Sequence, residues 1–183
     1  MITTTREVAT IEDLYKIKQK AEIVNGEIVY MPPTGDEPNR AGGSIYVSLR
    51  QHERKIKKGR SFTDNIGFKV NLPNRKSFSP DAAFHIGQLA GMKFVEGAPV
   101  FAVEVRSEGD YGTRAERAMA QKREDYFAAG TLVVWDVDLL SEDVIKVYRA
   151  SEPKNPTIYR RGEIAEAEPA VQGWKMPVDE IFE

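Results

Sequence analysis

Apolar positions recur along the chain with two periods, and the switches between them mark out the elements. Ile11, Leu14, Tyr15 and Ile17 fall at helical spacing. Thr10, with Asp13 three positions on, forms an approximate capping box, so a short first helix is predicted within residues 11–20. Asn25-Gly26 lies between Glu22-Ile23-Val24 and Glu27-Ile28-Val29-Tyr30. That dipeptide suits a two-residue type I′ turn and predicts an N-terminal β-hairpin, stopped by Pro32-Pro33. Ile45, Val47, Leu49 and Ile56 then predict a second helix ending near Lys57-Lys58-Gly59, where basic residues suit a helix C-terminus.

Residues 62–72 read as one strand with Phe68, Val70 and Leu72 on a common face, closed by Pro73-Asn74. A further extended segment starts near Phe78 and runs through Pro80-Asp81-Ala82-Ala83-Phe84. Residues 100–105 and 132–137 are almost continuously apolar, the signature of strands covered on both faces. Between them, residues 114–129 are rich in Ala, Glu, Arg, Met and Gln and are stopped by Gly130, which predicts a helix. Strand, helix and strand at this spacing predict a βαβ crossover. Shorter strands at 144–148 and 157–159 precede a tail punctuated by Pro and Gly.

Composition narrows the class. At 183 residues the chain suits a single domain, 1–183, that buries roughly 70% of its unfolded surface. A balance of 26 Lys and Arg against 28 Asp and Glu excludes a strongly basic nucleic-acid coat, though a local basic groove remains open. The absence of Cys removes disulfides, thiolate metal sites and cysteine nucleophiles, and makes the cytoplasm the default expectation. Met1 to Glu7 holds no apolar segment, and no apolar run approaches the ~18 residues of a membrane span, so a soluble protein without a membrane partner is expected.

Glu104 is the most informative residue, because it interrupts an apolar run that otherwise reads as buried on both sides. A lone ionised carboxylate there costs several kcal/mol, so Glu104 must be ion-paired (with Arg106 or Arg123, for example), metal-bound, protonated or at a solvent-reaching strand end. Asp81 alone is a common turn aspartate. Paired with Glu104 from a neighbouring strand, it could share a hard divalent cation through oxygen ligands, with magnesium or manganese fitting best. Zinc is poorly supported by only His52 and His85 and no HExxH pattern.

Lys122 occupies the stripe formed by Ala115, Ala118, Met119, Tyr126 and Ala129 on the predicted helix. It either snorkels to solvent or carries its charge to the end of the Glu104 strand, where it could orient a water or stabilise a phosphate. Asp110 or Thr113 could cap that helix, and Asp136 and Asp138 read as strand-end carboxylates. Arg54, Lys55, Lys57, Lys58 and Arg60 form a basic cluster, either a solvated helix end or a contact for a nucleic-acid backbone.

Pro80-Asp81, Glu104-Val105-Arg106-Ser107, Lys122 with Tyr126 and Gly130, and Val134-Trp135-Asp136 together resemble the core of the Uma-two family of putative restriction endonucleases. The resemblance extends upstream through residues 22–27 and Met31-Pro32-Pro33, so it covers most of the chain. It implies the PD-(D/E)xK nuclease superfamily, whose α/β fold is a restriction-endonuclease-like core with a mixed central β-sheet flanked by helices. It also implies Mg²⁺- or Mn²⁺-dependent hydrolysis of DNA phosphodiesters. Carried over, Asp81 and Glu104 match the acidic metal ligands, the carbonyl of Val105 completes the metal shell, and Glu22 matches an upstream accessory glutamate. The residue two positions after the second acid, where the simplest motif has lysine, is Arg106, which stays protonated and cannot be a general base. Lys122 matches the family's helix-borne lysine. A homodimer would give so small a domain access to two DNA strands. Two alternatives stay open: an inactive nuclease-fold protein with a binding or regulatory role, and a glycosidase using Asp81 and Glu104 as acid and base.

Overall fold

A computed structural model describes residues 8–183, so the stretch Met1 to Glu7 lies outside the described residues. Helix α1 spans only Ile11–Leu14, shorter than its periodicity suggests. Its capping box forms, with the Thr10 N–H and hydroxyl both donating to the Asp13 carboxylate at 3.0 and 2.8 Å. Of this stripe only Leu14 is fully buried, too little apolar surface to hold further turns. Strands β1 (Ala21–Val24) and β2 (Glu27–Tyr30) form the predicted hairpin, with φ of 51° at Asn25 and 75° at Gly26 as a type I′ turn requires. Helix α2 (Asp36–Ile56) buries Ala41, Gly42, Ile45 and Leu49 and ends at Lys57 in a left-handed conformation.

The expected strand over 62–72 is two strands in different sheets. β3 (Arg60–Thr63) and β4 (Phe68–Lys69) are separated by a turn with Asn65 at a φ of 64°. The apolar alternation continues across that turn, which hides the break from periodicity. Ser79-Pro80-Asp81 likewise divides β5 (Ser77–Phe78) from β6 (Ala82–His85), because proline has no N–H to give a ladder. β7 (Val95–Glu96) completes a small sheet of order β5-β4-β7.

The predicted crossover is present: β8 (Phe101–Val105) and β9 (Val133–Val137) are parallel and joined by α3 (Thr113–Ala128). With β10 (Ile145–Arg149) and β11 (Glu152–Tyr159) they build a six-stranded mixed sheet of order β11-β10-β9-β8-β6-β3. β12 (Ile164–Glu166) and β13 (Lys175–Pro177) pair before a closing 3-10 helix, Val178–Phe182.

Alternation along β8 sorts its side chains between two cores. Phe101, Val103 and Val105 pack with Ile45 and Leu49 of α2 and with Trp135, Trp174 and Met176. Ala102 joins Ala83, Val134, Phe78 and Tyr126 on the α3 side, where Phe78 stacks on Tyr126 with ring centroids 4.0 Å apart. Glu104 shares the Ala102 face by the two-residue period. Among the described residues, no helix is long and apolar enough to cross a membrane.

Candidate active site

Strand pairing places the two sequence-predicted acids together. Ala82 lies opposite Val103 in the antiparallel β6–β8 pair, so Asp81 meets the end of β8 where Glu104 and Val105 sit. The Asp81 N–H donates to the Val103 carbonyl at 3.0 Å, and Asp81 Oδ2 accepts the Val105 N–H at 2.8 Å. Thus the Val105 group in contact with Asp81 is its N–H. The buried Gly42 of α2 lies against the same aspartate: a Cβ added there would stand 3.6 Å from the Asp81 Cβ and carbonyl oxygen.

Glu104 is held from α3. Its Oε2 accepts from Lys122 Nζ at 2.8 Å and its Oε1 from the Tyr126 hydroxyl at 2.6 Å. Lys122 and Tyr126 are four residues apart and therefore reach the sheet from one helix face. Lys122 Nζ also lies 3.0 Å from Glu22 Oε1. Its side chain is only 17% exposed and its ammonium is ion-paired, so it does not snorkel to solvent. Arg106 and Arg123, the cations first considered for Glu104, pair with Asp136 instead.

Glu22, on the first strand of the predicted hairpin, is buried. The hairpin docks on β5 through the Ile23 N–H to Ser77 Oγ (2.9 Å) and the Lys76 N–H to the Ile23 carbonyl (3.0 Å). That docking turns Glu22 inward, where it accepts the Ser79 N–H at 2.8 Å and pairs with Arg75, which in turn holds Asp125.

Lys20 gave no sequence signal, yet its ammonium bridges Asp81 Oδ1 at 3.0 Å and Asp64 Oδ1 at 2.5 Å. The described ion pairs thus form two chains, Asp64–Lys20–Asp81 and Glu104–Lys122–Glu22–Arg75–Asp125. Together they hold five carboxylates against three cations.

Burial pushes the Glu104 carboxyl above the usual carboxylate range; Lys122 opposes this, while Asp81 and Glu22 add to it. Desolvation also works against the Lys122 ammonium, but Glu104 and Glu22 outweigh it and hold Lys122 above the ordinary lysine value. Lys20 is raised in the same way, its desolvation overcome by Asp81, Asp64 and Glu104. Glu22 falls below the ordinary range in spite of its desolvation, because Lys122, Arg75 and the Ser79 N–H favour its ionised form.

Arg106 is buried and structural. Its Nε and Nη2 donate to the two Asp136 oxygens at 2.9 and 3.0 Å, and it also engages Glu116 on α3. Asp136 is buried too, rather than lying at an open strand end. Arg106→Met should therefore lower stability by about 3 kcal/mol, since a buried carboxylate keeps only Arg123. Urea melts at constant m-value would measure this. A variant as stable as wild type that has nevertheless lost activity would place Arg106 in the chemistry. His52 and His85 bond the backbone carbonyls of Gln172 and Ala98. The basic cluster around Arg54 to Arg60 is at the far end of β3 from Asp64 and is mostly exposed.

A family model described as Uma2, putative restriction endonuclease, matches residues 8–179. The chain belongs to the Uma2 family. Among solved structures, the Uma2 chain resembles a putative nuclease belonging to DUF820 from Anabaena variabilis ATCC 29413. The TM-score is 0.73 at 15% identity, over 95% of this chain and 97% of that one. This likeness shows a shared fold, the α/β architecture of mixed sheet and flanking helices. No curated protein gives a significant match.

Proposed function

We propose that this Uma2 protein is a Mg²⁺- or Mn²⁺-dependent endonuclease that hydrolyses DNA phosphodiesters at the Asp81–Glu104–Lys122 site. The observation that carries this reading is the meeting of Asp81 and Glu104 at the β6–β8 junction, with Lys122 bonded to Glu104.

The residues fit a hard divalent ion. Each of the four oxygens of Asp81 and Glu104 accepts one hydrogen bond, which leaves lone pairs on all four. The surrounding ion-pair chains carry an excess of two carboxylates, matching the charge of one such ion. Among the described residues no third His, Asp or Glu converges with them. Two carboxylates are the donor set Mg²⁺ takes when it keeps several waters, and the Val105 carbonyl is a candidate third ligand.

When bound, the cation supplies a water of lowered pKa and offsets negative charge on the transferring phosphate. The chain's own groups do the rest. Tyr126 and Lys122 fix the Glu104 carboxylate from two sides, and Glu22 with Arg75 holds Lys122 in place. Lys122, ion-paired with Glu104 and Glu22, is placed to orient an attacking water and hold a phosphate oxygen by charge. With Lys122 supplying that charge, Arg106 at the usual lysine position is no sign of lost activity. The DNA backbone is the expected partner, with no membrane involved and with a second copy of the chain reaching the opposite strand.

Purified protein should cut at least one of linear, supercoiled, branched or single-stranded DNA with Mg²⁺ or Mn²⁺, and should stop in EDTA. Asp81→Asn should abolish the cut. Failure on every substrate, with Mn²⁺ binding demonstrated by a melting shift, would leave the inactive nuclease-fold reading in possession.

A further inference from the structure

We infer that Lys20 is a built-in competitor for the cation site: its ammonium neutralises Asp81 in the metal-free protein and withdraws onto Asp64 when a divalent ion arrives. The inference rests on the reading of Asp81 and Glu104 as cation ligands.

Three observations carry it. Lys20 Nζ is 3.0 Å from Asp81 Oδ1, while Oδ2 is already committed to the Val105 N–H, so the ammonium sits on the oxygen of Asp81 that makes no backbone contact. Lys20 is only 14% exposed, and among the described ion pairs its ammonium meets Asp81 and Asp64; it stands in the polar stretch just before β1. Its other partner, Asp64, is 2.5 Å away, part-exposed, and placed at the end of β3. A cation on Asp81 would therefore repel the ammonium toward a carboxylate that already holds it, and no buried charge would be left unpaired. Lys122 lacks this freedom. It is locked between Glu104 and Glu22, and Glu22 is fixed in turn by Arg75 and the Ser79 N–H. The two lysines thus divide the work, one permanent and one displaceable.

The test is equilibrium Mn²⁺ binding, read from the electron paramagnetic resonance signal of the free ion at fixed salt, with no DNA present. Lys20→Met should bind Mn²⁺ at least about tenfold more tightly than wild type, a modest share of the repulsion between an ammonium and a divalent ion a few ångströms apart. Asp64→Asn should bind more weakly, because Lys20 then rests on Asp81 alone. The double variant should regain the affinity of Lys20→Met, since the effect of Asp64 passes through Lys20. Lys20→Arg should stay within about threefold of wild type, as the charge is retained. Should the methionine variant not fold in EDTA melts, Lys20→Gln serves in its place.

Affinity unchanged or weakened in Lys20→Met, with Asp81→Asn still abolishing binding, would overturn the role of Lys20 and leave the cation site standing. Weak binding that persists in the double variant would make Asp64 itself a ligand and overturn the withdrawal. No binding in any variant, Lys20→Met included, would remove the cation site and this inference with it.

Discussion

Lys122→Met should fold into a domain about 3 to 5 kcal/mol less stable than wild type at neutral pH, a fall of roughly 10 °C or more in Tm. The methionine keeps the apolar stem and helix propensity of α3. What it removes is the ammonium bonded to Glu104 at 2.8 Å and lying 3.0 Å from Glu22. Glu22 then retains Arg75, but Glu104 keeps only the Tyr126 hydroxyl and faces Asp81 and Glu22 without a cation of its own. The pH dependence has a definite sign. Glu104 already titrates above its unfolded value, and losing Lys122 raises it further. A raised carboxyl favours the folded state at pH below the unfolded pKa, and that advantage is lost as pH rises through the folded pKa. The stability gap between variant and wild type should therefore narrow as the solution is acidified from neutral pH through the raised folded-state pKa of Glu104. Cleavage should fall at least about a hundredfold, the scale of removing one group that stabilises charge in the transition state. Thermal melts across pH, beside single-turnover cleavage, would measure both. A variant as stable and as fast as wild type would leave Lys122 with no part in the site.

Glu104→Gln should separate stability from activity in the opposite direction. Glutamine preserves the volume of Glu104, and its amide carbonyl can still accept from Lys122 or Tyr126. Lys122 retains Glu22. Because burial, Asp81 and Glu22 together overcome the help Lys122 gives to the ionised form, the neutral side chain removes a net penalty at neutral pH. The apo variant should melt at or above wild type, each 1 kcal/mol appearing as roughly 2–4 °C, and the difference should vanish in acid, where wild-type Glu104 is itself protonated. Addition of Mn²⁺ should stabilise wild type by about 2.7 kcal/mol at a hundredfold excess over Kd. The variant should lose most of that increment and at least about a hundredfold in cleavage. A strongly destabilised apo variant that keeps the full metal shift would mean that Glu104 is a structural ion-pair partner and that the cation binds elsewhere.

Local chemistry made much of this protein legible in its sequence. Asn25-Gly26 determined the hairpin because two adjacent residues that tolerate positive φ close a type I′ turn by themselves. The crossover was readable because two doubly buried strands and a Gly-stopped helix leave few ways to connect. Glu104 stood out because a carboxylate in an apolar strand needs compensation, wherever it comes from, and Asp81 gained meaning only by being paired with it. Tertiary structure alone decided what supplies it. Periodicity reports that a face is buried, not which distant group it meets. Lys20 and Asp81 are 61 residues apart, Glu22 and Ser79 are 57 apart, and both contacts depend on how the hairpin docks on β5. The pairing of Arg106 with Asp136 depends on β8 and β9 lying side by side in register. The break after β3 escaped the pattern because Phe68 and Val70 resume the same alternation, although Phe68 belongs to a strand of another sheet. A charge inside the fold announces in the sequence that it must be met, and only the order of the strands in space determines by what.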